Sequence, residues 1–411
     1  MGNDNCIPKV LWVSLMAPYD KVKHAAGKIE NYFLKQLDAK KIFDFHLISF
    51  ATKNIKSEID LDSYGINNTI FYYTWDGLSG KIMKLFNAYG KLNVWSKSAG
   101  LVSPYYKHKA ISKMKKLKKE GYIPDVIIFQ WTEIATMLED AKKIFPHAKI
   151  VMIEEDVSFL GHNRKANAAS GIKNRFLTYK AKKIKTRELA LLNKADFIVL
   201  NNYKDKKLIE NSIKRPSKIW VWCPYYQSML NNPRKEHNKD ILFYGALSRE
   251  ENWRSAVWFL ENVWPYITDK EARYVMIGSN PPDILKKYQS DRVIITGFVD
   301  DIQPYFESAL CLAAPLVLGA GVKIKVLEGL SSGIPVLTND IGIEGIPAID
   351  EQDYFYCVEA KDYITKINEL LEDRVDFKKI EVNGKKFMRE NFNFEKDVDV
   401  FAEKLMYLST K

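Results

Sequence analysis

The chain reads as an α/β protein of two doubly wound, Rossmann-like halves that face one another across a cleft. Three observations predict this. Short apolar runs alternate with helix-length amphipathic segments almost throughout, which is the pattern of parallel sheets joined by crossover helices. A length of 411 residues fits two or three domains better than one. One stretch, 227–240, is polar, contains Asn231-Asn232-Pro233 and interrupts the alternation as a linker does.

In the first half the strand candidates are Lys9–Leu15, Phe43–Phe50, Thr69–Tyr73, Asp125–Phe129, Lys149–Ile153 and Asp196–Leu200. Each is a brief run of mainly apolar residues, as strands buried on both faces require. Helical patterns fall between them, for example Lys28–Leu37 and Glu133–Ile144. The second series comprises Ile241–Tyr244, Tyr274–Ile277, Val293–Ile295, Cys311–Ala314, Pro335–Leu337 and Tyr354–Val358. From about Lys361 the pattern is helical to the end. The expected domains are 1–226, 227–395 and a terminal helix, 396–411, that packs back on the first domain. In doubly wound sheets ligands sit outside the carboxyl ends of the strands, so the cleft between the halves is the expected site.

Composition narrows the class. The chain is 46% hydrophobic and 27% charged, within the globular range. Four cysteines, Cys6, Cys223, Cys311 and Cys357, lie far apart, with neither disulfide-framework nor zinc spacing, and read as reduced, intracellular thiols. The first residues lack a secretory leader pattern. The longest apolar run, Ala309–Leu318, is about half of a bilayer span. The formal net charge is +11, and it is concentrated. Residues 81–119 hold eleven lysines and no acid, interleaved with aromatic and aliphatic residues, and 171–187 hold seven basic residues and no acid. Lysines interleaved with aromatics and leucines suit an anionic membrane surface. No nucleic-acid-binding signature accompanies the charge, so nucleic acid is not an expected partner.

Pro315–Val336 carries the chemistry: a strand end, a glycine loop, a helix, a glycine stop and the next strand. Gly319 and Gly321 let the backbone approach a ligand, and the helix beyond them presents free amides and the positive end of its dipole. Lys323 and Lys325 are expected in the first helical turn, where a cation opposes that dipole unless an anion is bound. Lys325 and Glu328 are three residues apart and share a face. Gly319 and Gly321 lack the third glycine of a dinucleotide fingerprint, which disfavours an oxidoreductase. No Asp-x-Asp pair stands at a strand end of the second half, so no metal ligand and no cofactor are expected.

The second half resembles the nucleotide-sugar-binding domain of retaining GT-B glycosyltransferases of family 4, in a bacterial polysaccharide-type branch. The resemblance is carried by Leu242-Phe243-Tyr244-Gly245, Asn252, Trp258-Phe259, Val263-Trp264-Pro265, Ile277-Gly278, Thr296–Asp301, the glycine stretch and Ile341-Gly342-Ile343-Glu344-Gly345. In the first half it rests on Pro18…His24-Ala25-Ala26-Gly27 and Glu155-Asp156. It implies that Glu328 takes the donor's ribose hydroxyls and that Lys325, with the amides of Gly321, Val322 and Lys323, holds the diphosphate. It further implies that Gly245 leaves room for phosphates, Phe298 and Val299 border the base, and Gly27 lets the first domain close on the donor. Many relatives carry a glutamate where Ala320 stands and a histidine where this chain has Gln130. Asp156, beside Glu154 and Glu155, is then the remaining polar candidate for catalysis in the first half.

The implied activity is retaining transfer from a nucleoside diphosphate sugar, with UDP the expected nucleotide, to a glycan or lipid-linked glycan in cell-surface polysaccharide synthesis. The expected place is the cytoplasm, peripheral to the inner face of the membrane. Two alternatives stay open: an inactive glycan-binding or assembly subunit, and a hydrolysing nucleotide-sugar epimerase.

Overall fold

Runs such as Val10-Leu11-Trp12-Val13 and Val126–Phe129 are apolar at every position and can be stable only where both sheet faces are covered. In a computed structural model, which describes residues 7–22, 25–96, 98–167, 169–319 and 321–411 (Ala25 by backbone only), both runs are fully buried. His24, Ala320 and Cys6, singled out above, lie outside the described residues, as does Lys97 of the first basic segment. The chain divides into two units, Met1–Cys223 with Phe394–Lys411, and Pro224–Asn393.

The first unit holds seven strands: β1 Lys9–Ser14, β2 Asp44–Thr52, β3 Asn67–Tyr73, β4 Val126–Gln130, β5 Lys149–Glu154, β6 Phe197–Leu200 and β7 Ile219–Val221. They pair in parallel in the order β3-β2-β1-β4-β5-β6-β7, so the winding reverses between β1 and β4. Strand β7 was not expected. It is three residues long and directly follows Pro216-Ser217-Lys218, too brief to show a period. The helix expected over Glu133–Ile144 is two pieces, Thr132–Ala135 and Leu138–Ile144. Thr136 explains the break, because its hydroxyl bonds back to the Glu133 carbonyl at 2.6 Å and competes with the helical ladder. The last helix, Phe394–Ser409, belongs to this unit, where Phe401 packs among Trp12, Phe33, Trp220 and Trp222. Edge-to-face and stacked aromatic pairs of this kind each add about 0.5–1.5 kcal/mol beyond area burial.

The second unit holds β8 Asp240–Tyr244, β9 Arg273–Ile277, β10 Val293–Gly297, β11 Cys311–Ala314, β12 Val336–Thr338 and β13 Phe355–Tyr356. The order is β10-β9-β8-β11-β12-β13, all parallel, with its reversal between β8 and β11. Its close packing requires glycine at two places. A Cβ on Gly278 would lie 1.8 Å from the Gly245 carbonyl oxygen, and one on Gly329 would press Val336 and Leu312 at under 3 Å. Cys223, Cys311 and Cys357 are buried and unbridged.

Candidate functional site

In the second unit the reversal between β8 and β11 opens a crevice at the carboxyl ends of those strands. Gly245 directly follows β8, and the loop 315–323 runs from β11 into helix Ile324–Ser332. Gly245 has a φ of +145°, and a Cβ there would lie 2.9 Å from both the Asn252 amide nitrogen and the Lys325 ammonium. The missing side chain is therefore the space into which Lys325 reaches.

Lys325 is held from two sides. Its Nζ donates to Asn252 Oδ1 at 2.7 Å and stands 4.4 Å from the Phe243 ring centroid, a cation–π distance. Asn252 is fixed in turn, because its Nδ2 donates to the Ala246 carbonyl at 2.8 Å. The residue as a whole is half-buried, and its ammonium is closely surrounded. Burial above all brings its pKa down to about 7, while Glu251 and Glu328 oppose the shift and Arg249 and Lys323 reinforce it. An anion beside it would favour the charged form and oppose that shift.

Lys323 differs from expectation. It is not in the first turn but is the N-cap residue, with extended backbone (φ −95°, ψ 105°). Its side chain folds back so that Nζ donates to the Gly321 carbonyl, which holds the residue out of the helix. The same ammonium is 3.6 Å from Glu344 Oε2, and the Gly321 amide donates to that oxygen at 2.7 Å. Val322, between them, is half-buried against the loop that carries Glu344, within 3.1 Å of where Gly345 would bear a Cβ. An amide and a lysine of the glycine loop thus already engage a carboxylate.

Glu328, one turn beyond Lys325, is buried, and its Oε1 accepts from the Gln227 amide at 3.1 Å. Its charge, added to burial, raises the pKa of the Tyr244 phenol at the end of β8, so the carboxylate lies near the crevice. Phe298 and Val299 follow β10. Phe298 is 70% exposed and Val299 half-buried, which leaves an aromatic face open at the carboxyl edge of the sheet. The structure therefore gathers Gly245, Gly321, Val322, Lys323, Lys325 and Glu328 at one strand-end crevice, with Phe298 and Val299 two strands away on the same edge.

The first-unit candidates are placed differently. Gly27 is buried in the first turn of helix Ala25–Ala39. Asp156 follows β5 and is exposed as a residue; partial burial of its carboxyl, then the Asp205 charge, raises its pKa. Its neighbour Glu155 points inward. Its carboxylate accepts from Gln130 Nε2 and, at 2.7 Å, from Asn201 Nδ2, and burial pushes its pKa up to about 7. Gln130 is fully buried, and its oxygen accepts from Trp12 Nε1 at 3.0 Å. Both ends of that amide are committed to joining β1, β4 and β5, which is a structural use.

Two residues were named in the sequence reading without the role they play here. Glu344 was visible as part of a glycine-flanked motif, but its pairing with Gly321 spans 23 residues and has no period. Asn252 lies 73 residues from the lysine it holds. Among the described residues no three His, Cys, Asp or Glu side chains converge as a metal site, and no helix is long and apolar enough to cross a membrane.

Residues 238–373 match the family described as Glycosyl transferases group 1. An uncharacterized 44.6 kDa protein in the cps region of Klebsiella pneumoniae is 24% identical over 191 residues, covering 43% of this chain. The match spans about half (49%) of that relative. HepE of Anabaena, solved with UDP, superposes with a TM-score of 0.64 at 13% identity, covering 97% of this chain and 100% of its own. Sucrose-phosphate synthase of Thermosynechococcus elongatus gives 0.62 at 14% identity, covering 98% and 99%. A glycosyltransferase of Rickettsia africae gives 0.64 at 14% identity, covering 98% of each chain. At these identities the likeness is one of fold. The expected pair of parallel-sheet α/β domains is found and matches the fold of these GT-B glycosyltransferase neighbours, the second domain carrying the group 1 match.

Proposed function

We propose that this protein is a glycosyltransferase that moves a sugar, with retention, from a nucleoside diphosphate donor to a glycan or lipid-linked glycan. The observation that carries the proposal is the pairing of Lys325 and Glu328, one turn apart on the helix that opens from the glycine loop at the β8–β11 reversal. The group 1 match over the same residues supports transfer, HepE's complexes with UDP and UDP-glucose favour UDP as the nucleotide, and the cps-region relative favours polysaccharide synthesis.

In this reading Lys325, with the amides of Gly321, Val322 and Lys323, takes the diphosphate, and Glu328 accepts from the ribose hydroxyls. The Phe298 face and Val299 border the base. The bond from the anomeric carbon to the leaving phosphate oxygen breaks as the acceptor oxygen bonds that carbon from the same face. The acceptor's proton passes to the departing phosphate. No enzyme nucleophile and no metal are needed, because the charge that develops on the leaving diphosphate meets prearranged donors. Asp156 and Gly27 belong to the acceptor side and the closing of the first domain. The expected setting is the cytoplasmic face of an anionic membrane, with the lysine-rich first unit toward the lipid and nucleic acid excluded.

The test is calorimetric titration with UDP, GDP and ADP, repeated on Lys325→Ala. Tight binding of one nucleotide that the variant loses supports the donor site. No binding of any would turn the reading to an inactive glycan-binding subunit, and donor turnover without acceptor would turn it to an epimerase. Glu328→Ala should weaken that nucleotide by about 1–3 kcal/mol through lost charged hydrogen bonds. Unchanged affinity would remove Glu328 from the ribose subsite.

Glu344 accepts from the Gly321 amide and stands beside the Lys323 ammonium, so a diphosphate held by the same groups would compete with it. Glu344→Gln keeps an acceptor for the Gly321 amide but removes the charge. UDP should then bind up to about tenfold tighter. Weaker binding would show that Glu344 shapes the loop for the nucleotide instead of standing in for it.

A further inference from the structure

Helix Gly77–Leu92 turns its face inside out. The residues it buries are Gly80, Met83 and Gly90, with Asn87 half-buried between them. Gly90 allows the close approach, since a Cβ there would meet the Ser103 backbone at 3.1 Å. On the opposite side Leu78, Ile82, Leu85, Tyr89 and Leu92 are exposed, Leu78 by 76% and Leu85 by 70%. At about 100° per residue these five fall within ~80° of arc, and Phe86 widens the stripe on one side. Trp95, just past the helix, is 74% exposed. A surface helix ordinarily hides its large apolar residues and shows its polar ones. Here the large residues face outward and the small ones hold the helix to the body.

The flank of the stripe is purely cationic. Lys81, Lys84 and Lys91 lie along one side, and no acid occurs from there to Lys119. The second basic segment is tied to the same place, because Lys180 of helix Gly171–Lys194 donates from Nζ to the Lys91 carbonyl at 2.7 Å. That helix begins with Ile172 fully outward beside Lys173. Helix Pro104–Lys119 is different. Its apolar residues Tyr106, Ala110, Met114 and Leu117 are buried, so its lysines bring charge without anything to insert.

We propose that helix Gly77–Leu92 lies in the plane of an anionic lipid surface, its apolar stripe at the acyl-chain boundary and its lysines at the phosphates. The proposal rests on the membrane-surface part of the reading above and narrows it to one helix. A second copy of the chain is a poorer occupant, because pressing two such stripes together would set the lysine flanks against each other, with Asp76 at the helix start the one carboxylate near them in sequence. An apolar band that includes Tyr89, with a lysine flank and Trp95 just past its end, matches what the headgroup boundary offers.

The test uses the full chain and vesicles of phosphatidylcholine with and without phosphatidylglycerol. The variants are Leu78→Ser/Leu85→Ser/Leu92→Ser, and lysines 113, 115, 116, 118 and 119 changed to glutamine. The wild type should sediment with the anionic vesicles only, and the leucine variant should lose at least tenfold in partitioning while keeping its Tm and its UDP affinity. The lysine variant should lose binding mainly at low salt, where screening is weak. If the leucine variant sediments like the wild type, the helix is not the contact, although the membrane reading stands. If the wild type ignores anionic vesicles, both fall and the donor site is untouched. A wild-type dimer that the leucine variant breaks would assign the stripe to a second copy and overturn the proposal.

Discussion

Lys325→Ala is expected to lower donor turnover by about 10²–10³ while weakening the bare nucleoside far less. The asymmetry follows from where charge develops. In the proposed site the nucleoside's neutral ring and ribose would meet Phe298, Val299 and Glu328, whereas the leaving diphosphate would gain a negative charge only as the sugar departs. An enclosed ammonium beside the Phe243 ring is worth most at that moment, because little water competes for it. Equal losses in nucleoside binding and turnover would argue against leaving-group stabilisation. The pH dependence supplies a second check. In the empty site the amine titrates near 7, down from 10.5, chiefly through burial. A bound diphosphate favours the ammonium, so binding above pH 7 takes up a proton. Affinity for UDP-glucose, whose phosphates do not titrate near neutrality, should fall by up to about tenfold per pH unit above 7. Lys325→Ala should be flat across that window. The sign for stability is the reverse: between pH 7 and 10.5 the unfolded chain holds a proton that the empty fold sheds, so the empty protein gains stability as pH rises.

What could be read beforehand, and what could not, divides along the range of the interactions. Strands such as Cys311–Ala314 and Lys149–Glu154 announce themselves because a parallel strand buried on both faces leaves an uninterrupted apolar run. The glycine stretch is legible for a similar reason, since strand end, loop, helix and stop follow one another in the chain. That stretch could not show that Lys325 would be enclosed by Asn252 and Phe243, or that Lys323 would fold back to stand beside Glu344, because Asn252, Phe243 and Glu344 lie on other elements far along the chain. Helix Gly77–Leu92 misleads in a further way. Its apolar period is genuine, and a periodic stripe is ordinarily taken as the buried face. Only the packing of Gly80, Met83 and Gly90 shows that this stripe looks outward. Glu155 and Asp156 are adjacent in sequence and opposite in environment, a distinction set by Gln130 and Asn201 reaching one carboxylate and not the other.

Gly245→Ala should abolish donor turnover to within the reach of Lys325→Ala and cost about 1–3 kcal/mol of stability. Two effects combine. A φ of +145° is a conformation that side-chain-bearing residues adopt only under strain, and the new Cβ would sit 2.9 Å from both the Lys325 ammonium and the Asn252 amide nitrogen. The lysine and the asparagine must then give way, and the hydrogen bond between them, which aims the ammonium, goes with them. The informative measurement is the double variant. If Gly245 serves only to seat Lys325, then Gly245→Ala should add almost nothing to turnover once Lys325 is alanine. The coupling energy would then approach the whole effect of one single variant. If instead the absent side chain also leaves room for the phosphates themselves, Gly245→Ala should lower UDP affinity further even without the lysine, and the two losses should approach additivity. Chemical denaturation of each variant separates these outcomes from global unfolding, because the backbone strain at Gly245 costs stability in both backgrounds alike. A coupled result assigns the small residue to the lysine, and an additive one assigns it to the ligand.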